Sequence, residues 1–182
     1  MKYLHKIASG INVVPLQLDL KRNAQLWNTN RQRTEHESSP HHQVDDIWVR
    51  YAGSYEEDQA SHMSEWMTDL LPAAKQHARA IMNLVNGDSL GGVLITRIPP
   101  GCKVLPHIDR GWHAEYYDKF ILQVEAHPQQ AFCYEDGQFV SQPGDLYWFY
   151  NQQEHWVINE SPVERISMIV CVKLEKPFNG GA

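Results

Sequence analysis

At 182 residues the chain suits one domain spanning 1–182 and can bury a substantial core. Hydrophobic residues at 42% and charged residues at 21% lie at globular norms, which excludes disordered and coiled-coil classes. A net charge of −6 gives no electrostatic reason to expect a nucleic-acid partner, and no window approaches the ~18 apolar residues of a membrane span.

Three cysteines, Cys102, Cys133 and Cys171, are odd in number and widely spaced, so reduced thiols are expected rather than a disulfide framework or a Cys-based zinc site. The N-terminus carries no apolar run of signal-peptide length, and a soluble cytoplasmic protein is expected.

Ile11 to Leu18 alternates as a short edge strand, with Asp19 then capping a brief helix from Leu20 to Trp27. Asn28 to His42 is polar and reads as a long surface loop, His41 and His42 being solvated within it. Gln43 to Ala52 predicts a strand with Ile47 and Val49 on one face and Trp48 and Arg50 on the other. Ser61 to Val85 carries helical spacing, first through Met63, Trp66, Met67 and Leu70. From Pro72 a second helix continues the stripe through Ala74, Ala78, Ile81 and Val85, stopped by Asn86-Gly87.

From Gly91 the texture changes to short apolar runs separated by turn signals. The runs are Val93–Ile98, Phe120–Val124, Ala131–Tyr134, Leu146–Tyr150, Trp156–Ile158 and Ile166–Leu174. Asp136-Gly137 marks a hairpin. Many short strands after a helical first half predict a sandwich or barrel buttressed by helices.

His107 and Asp109 stand two apart, which in extended backbone aims both side chains one way, and His155 follows 48 residues later. Two histidines and a carboxylate suit a facial metal site with open positions, as in non-haem iron oxygenases. In the last strand, Ile166, Met168, Val170, Val172 and Leu174 form the packing face, leaving Arg165 and Ser167 on the other. If that side is interior, the buried Arg165 cation needs an anionic partner, which a dicarboxylate ligand supplies.

In this order and spacing, His107-x-Asp109, His155 and Arg165-x-Ser167 resemble the Fe(II)/2-oxoglutarate-dependent dioxygenases. The text IPPGCKVLPHID, DKFILQVEA and PGDLYWFYNQQEHWVINESPVERISMIVCV is similar to the aspartyl/asparaginyl β-hydroxylase branch, across roughly Gly91 to Leu174. The resemblance implies a mainly β fold with N-terminal helices. Its core would be a double-stranded β-helix (a cupin-like jelly roll) over residues 91–175, buttressed by one or two α-helices from residues 1–90. It implies Fe(II) on His107, Asp109 and His155, and 2-oxoglutarate held by Arg165 and Ser167, with O2 as the oxidant. It further implies hydroxylation of a C–H on an Asp- or Asn-type side chain, free or in a peptide. Many members of the branch carry an arginine and then a histidine where Lys119 and Ile121 stand here, which bears on the substrate pocket.

Lys119 reads either as a carboxylate-binding cation or as an exposed strand lysine. Arg50 and Trp48 could line the substrate entrance, and Arg110 and Trp112 stand in a segment that reads as a substrate-contacting loop or an ordinary surface loop. His113 is a rival ligand to Asp109, and Asn159 is expected to satisfy a turn. Two other readings share these motifs. The glycine-to-histidine spacing around His107 and around His155 also resembles cupins, so a metal-dependent isomerase or small-ligand binder without 2-oxoglutarate would fit. A metal-free jelly roll serving as a binding module is the third. A small molecule, peptide or protein is the expected partner in the first reading.

Overall fold

The architecture follows from one long strand and from what each of its faces buries. A computed structural model describes residues 1–51, 64–176 and 178. The last strand, β11 (Arg165–Leu174), lies at the centre of a seven-stranded sheet, antiparallel to β4 (Gly87–Ile98) on one side and β6 (Asp118–Glu125) on the other. Outward from β6 come β9 (Leu146–Phe149) and β1 (Leu4–Ala8); outward from β4 come β2 (Asp45–Tyr51) and β3 (Glu65–Trp66). A second sheet of four strands runs β5 (Lys103–His107), β10 (His155–Asn159), β7 (Gln130–Tyr134), β8 (Gly137–Phe139). This is a mainly β chain with few helices, arranged as a double-stranded β-helix.

The two faces of the large sheet are both buried, which is why its strands read as apolar runs rather than strict alternations. Ile166, Met168, Val170, Val172 and Leu174 join a core shared with two helices, α1 (Val14–Arg22) and α2 (Pro72–Leu84). The opposite face meets the small sheet over a second core that includes Ile98, Val104, Ile121, Phe132, Tyr147 and Val157. In β9 the alternation divides the same way: Leu146 and Trp148 enter the helical core, Tyr147 and Phe149 the inter-sheet core.

The first half of the chain departs from its sequence pattern in three places. Ile11 to Leu18 is no strand: α1 starts at Val14, with Pro15 in the first turn, where its missing N–H costs nothing. Leu16 and Leu20, four apart, are the buried positions of that helix. Of the helix expected from Leu20 to Trp27, Leu20 to Arg22 form the end of α1 and Ala24–Leu26 a separate 3₁₀ turn. Asp19 caps a different helix, its Oδ2 accepting the backbone N–H of Ala73 at 3.0 Å. The helical spacing from Met63 is also misleading. Met63 lies outside the described residues, Trp66 sits in β3, and Met67 and Leu70 are exposed. The open edge of β2 captures this segment, pairing Arg50 with Trp66, and the helix waits for Pro72. From there Ala74, Ala78 and Ile81 are buried as the stripe requires, and Asn86 in the left-handed region (φ 52°) ends it. No described helix is long and apolar enough to cross a membrane. Cys102, Cys133 and Cys171 form no disulfide with one another.

Candidate metal centre

Pairing of β5 with β10 sets His155 directly opposite His107, and their ring centroids lie 4.4 Å apart. Asp109 follows two residues past His107, outside the strand, its backbone N–H donating to Asn151 O at 3.0 Å in the turn before β10. One strand pair and one cross-turn hydrogen bond therefore gather three side chains 48 residues apart in sequence. Their nearest donor atoms all lie within 4.8 Å of one another.

The protonation of this cluster suits a metal. The Nδ1 atoms of His107 and His155 each stand 2.8 Å from a backbone carbonyl, Leu105 O and Gln153 O. A carbonyl only accepts, so Nδ1 carries the proton and Nε2 presents its lone pair, as in metal-ligating histidines. Burial lowers the His155 pKa to about 4, so its ring is neutral at pH 7. His107 Nε2 faces Asp109 Oδ1 at 3.5 Å; two ligands of a metal bonded at about 2.1 Å sit about 3 Å apart, so this spacing is close to what a shared cation needs. Phe132 stacks on the His155 ring (5.5 Å, 7°) and Phe149 meets it edge-on, which fixes its orientation.

Deeper between the sheets, Arg165 is 2% exposed. Its guanidinium donates to Ser167 Oγ and to Tyr147 OH, each at 3.0 Å. No carboxylate among the described residues pairs with it, although it lines the same chamber as the histidines and Asp109. A desolvated cation held only by hydroxyls is poised for an anion.

The other predicted residues separate. Lys119 is not an exposed strand lysine: its Nζ donates to Asp109 Oδ2 at 2.6 Å inside the chamber. Trp48 and Arg110 line a second cavity that opens on the first. Arg50 lies past a register shift in β2 and donates to Gly91 O, its guanidinium over the Trp66 ring. Trp112 stacks on Tyr116 (4.9 Å, 15°) within the short helix α3 (Trp112–Tyr116). His113, on the same helix, packs on Tyr117 and lines the second cavity, apart from the three ligands. Asn159 does serve a turn: buried, it donates to the carbonyls of Ile98, Pro99 and Val163.

Three residues escaped the sequence reading. Tyr147, fully buried, orients Arg165, and the alternation in β9 was the available signal. Arg33 and His41 come from the polar segment 28–42, which is no mere surface loop. Arg33 grips Asp46 with Nε and Nη2 at 2.9 and 2.8 Å, and also donates to Thr96. The N–H of Leu105 donates to Pro40 O at 2.8 Å, bringing His41 edge-on to His107 with centroids 4.6 Å apart. Neither residue carries a local sequence signal, because both act through partners distant in the chain.

No protein-family model matches this chain, and no curated protein matches it in sequence. Solved structures do share its fold. A prolyl hydroxylase from Trichoplax adhaerens, in complex with a hypoxia inducible factor oxygen degradation domain peptide, aligns with a TM-score of 0.63 at 10% identity, over 96% of this chain and 85% of that one. The viral collagen prolyl hydroxylase of Paramecium bursaria Chlorella virus-1, as its 2OG complex, gives 0.58 at 12% identity, covering 95% and 97%. A Pseudomonas putida prolyl-4-hydroxylase gives 0.56 at 16%, covering 97% and 95%. The architecture is that of a jelly roll.

Proposed function

We propose that this chain is an Fe(II)- and 2-oxoglutarate-dependent dioxygenase that hydroxylates a C–H bond of an amino-acid side chain, free or within a peptide. The observation that carries the reading is Arg165, a buried guanidinium without a carboxylate partner among the described residues, opening on the same chamber as a His-Asp-His cluster. A metal site alone would suit an isomerase or a binder; the clamp for a second carboxylate is what those alternatives do not need.

His107, Asp109 and His155 would hold Fe(II), and Arg165 with Ser167 would hold the distal carboxylate of 2-oxoglutarate. When bound, iron and 2-oxoglutarate would supply the oxidising chemistry that places an oxygen atom from O2 on the substrate. The chain's own work is positioning. The carbonyls of Leu105 and Gln153 orient the two rings through Nδ1, so that Nε2 of each is the atom turned to the metal position, and Lys119 helps keep Asp109 ionised. Tyr147 holds the guanidinium in place, and Phe132 and Phe149 exclude water beside His155.

Sequence likeness favours an Asp- or Asn-type side chain, while the solved neighbours act as prolyl hydroxylases, one of them bound to a peptide. Both point to an amino-acid side chain. Anaerobic addition of Fe(II) and 2-oxoglutarate should give the weak visible charge-transfer band of the chelate, absent in His155→Ala and Arg165→Ala. A wild-type protein without the band would sink the proposal. A band that survives Arg165→Ala at unchanged 2-oxoglutarate concentration would remove the clamp.

A further inference from the structure

Behind the Arg165 clamp runs a row of buried polar side chains. Arg165 Nη2 donates to Tyr147 OH, and a guanidinium only donates, so the tyrosine must pass its own proton elsewhere. Burial raises the Tyr147 pKa, so the hydroxyl keeps that proton, and its hydrogen-bonding neighbour is Ser141. Ser141 Oγ in turn donates its single proton to Gln123 Oε1 at 2.9 Å. Carbonyls fix the end of the row: Gln123 Nε2 donates to Glu125 O at 2.6 Å and to Ile166 O at 2.9 Å. All four side chains are buried, Gln123 and Tyr147 completely.

These contacts leave the row one direction. Two carbonyls hold the donor end of the Gln123 amide, so Oε1 faces Ser141 and can only accept. Ser141 gives its one proton to Oε1, which leaves an Oγ lone pair for the Tyr147 O–H. Tyr147 then presents a lone pair to Arg165. The opposite order would set a hydroxyl proton against a guanidinium N–H, donor against donor. The same amide secures the backbone. Ser167 pairs with Gln123 and Ile166 with Glu125, so Val124 is an extra residue in β6, a β-bulge beside the clamp. Gln123 Nε2 ties the Glu125 and Ile166 carbonyls at this slip, and Gln17 of α1 donates to Val124 O at 2.9 Å. Bulges re-aim the side chains next to them, which here are Arg165 and Ser167.

We infer that Gln123 and Ser141 are positioning residues for the carboxylate clamp: through Tyr147 they hold the Arg165 guanidinium toward its anion, although neither lines the chamber. That the anion is the distal carboxylate of 2-oxoglutarate rests on the function proposed above; the order of the row does not. Cutting the row at Ser141 frees the Tyr147 hydroxyl to turn and lets the guanidinium leave its line. His107, Asp109 and His155 make no contact with the row, so the loss falls on the anion and not on the metal. Because Ser141 acts through Tyr147, its removal has no further effect in a Tyr147→Phe background.

Calorimetric titration with Zn(II), and of the Zn(II)-loaded protein with 2-oxoglutarate, tests this. Ser141→Ala should bind 2-oxoglutarate about fivefold more weakly, as loss of one hydrogen bond predicts, with Zn(II) affinity unchanged. Ser141→Ala combined with Tyr147→Phe should bind it no more weakly than Tyr147→Phe alone. An unchanged 2-oxoglutarate affinity, an equal loss for Zn(II), or losses that multiply in the double variant overturn the assignment. Heteronuclear NMR of the metal-free protein supplies a readout that needs no ligand. The Arg165 Nε–H correlation, assigned by its loss in Arg165→Met, should move in Ser141→Ala. In the double variant it should stand where Tyr147→Phe alone puts it; a correlation that Ser141→Ala leaves unmoved overturns the assignment. Should Ser141→Ala not fold, the wild-type Tyr147 hydroxyl proton decides. Slow exchange with an NOE to Ser141 Hβ supports the order of the row, and fast exchange overturns it. A wild type that binds no 2-oxoglutarate while the NMR pattern holds removes the cofactor reading and keeps this one. Binding abolished in Arg165→Met but untouched in Ser141→Ala does the opposite.

Discussion

Lys119 Nζ stands 2.6 Å from Asp109 Oδ2, so the carboxylate of the metal cluster is held by a cation within the protein itself. Both side chains are largely buried, at 16% and 19% exposure. Burial alone would raise the Asp109 pKa, but the charge and hydrogen bond of Lys119 together with His107 and His155 outweigh it and hold the carboxyl well below its usual range. Burial alone would lower the Lys119 pKa, and the charge and hydrogen bond of Asp109 together with Cys171 reverse that. The pair leaves Oδ1 facing His107 for the metal and occupies Oδ2.

Lys119→Met strips the carboxylate of its partner. The metal-free variant should be destabilised by about 1–3 kcal/mol, less than a fully buried pair would lose because some solvent reaches this one. Zn(II) should restore more stability to the variant than to wild type, since the metal supplies the missing positive charge. The depressed Asp109 pKa means its contribution is present above the unfolded value of about 3.9 and fades as pH falls through the folded one. The raised Lys119 pKa means its contribution persists up to about pH 10 and fades only above that. The difference between wild type and variant, read from urea melts, should therefore be flat across neutral pH; a difference that changes between pH 6 and 8 would contradict the ion-pair account.

His155 gives the opposite pH signature. Burial lowers its folded pKa to about 4, so between about pH 6.5 and 4 the unfolded chain binds a proton that the folded one refuses. Stability of the metal-free protein should fall on acidification through that window, by on the order of 2–3 kcal/mol from this residue. His155→Gln should remove its own share of that slope and leave the share of His41, also lowered by burial. His113, also lowered to about 4 by burial, should contribute a further, independent part of it. Denaturant midpoints at pH 7.0 and 5.0 measure both.

Arg165 predicts a separation of stability from ligand binding. Arg165→Met removes a buried, unpaired cation and should leave the metal-free protein at least as stable as wild type. Its thermal shift with 2-oxoglutarate should vanish. Tyr147→Phe deletes one of the two hydroxyls that aim the guanidinium, so the KM for 2-oxoglutarate should rise about five- to tenfold with kcat little changed. Equal losses in both parameters would mean that Tyr147 does more than orient Arg165.

Arg33 should matter most for folding. It makes the bidentate pair with Asp46, which is 0% exposed and whose carboxylate also accepts from Thr96 Oγ1. Arg33→Ala leaves that carboxylate buried without a counter-charge and should cost about 3–5 kcal/mol. Arg33→Ala combined with Asp46→Asn should recover part of the loss. Thermal melts of the two variants decide it.

The second half of the chain was legible from its sequence because each strand there announces itself locally. Apolar runs bounded by Pro, Gly and Asp-Gly turns became β4, β6, β7, β9, β10 and β11. The alternation in 165–174 already put Arg165 and Ser167 on the face away from the helical core, where they lie. The first half was less legible. Proline at position 15 marks an edge strand and a helix start equally well, and the spacing of Trp66, Met67 and Leu70 fits a helix until the β2 edge takes Trp66 as a strand partner.

By itself, the sequence announced the strands of a sandwich or barrel and nominated His107, Asp109, His155, Arg165 and Ser167, since residue type and strand period are local properties; the jelly roll was what the family resemblance implied. Only the tertiary structure decided what surrounds them. Strand pairing of β5 with β10 brought the two histidines face to face, and β6 carried Lys119 onto Asp109. The 28–42 segment folded inward to set Arg33 and His41 beside the metal face. Those outcomes depend on long-range register and on where a buried charge finds its partner, and neither is written in any short stretch of chain.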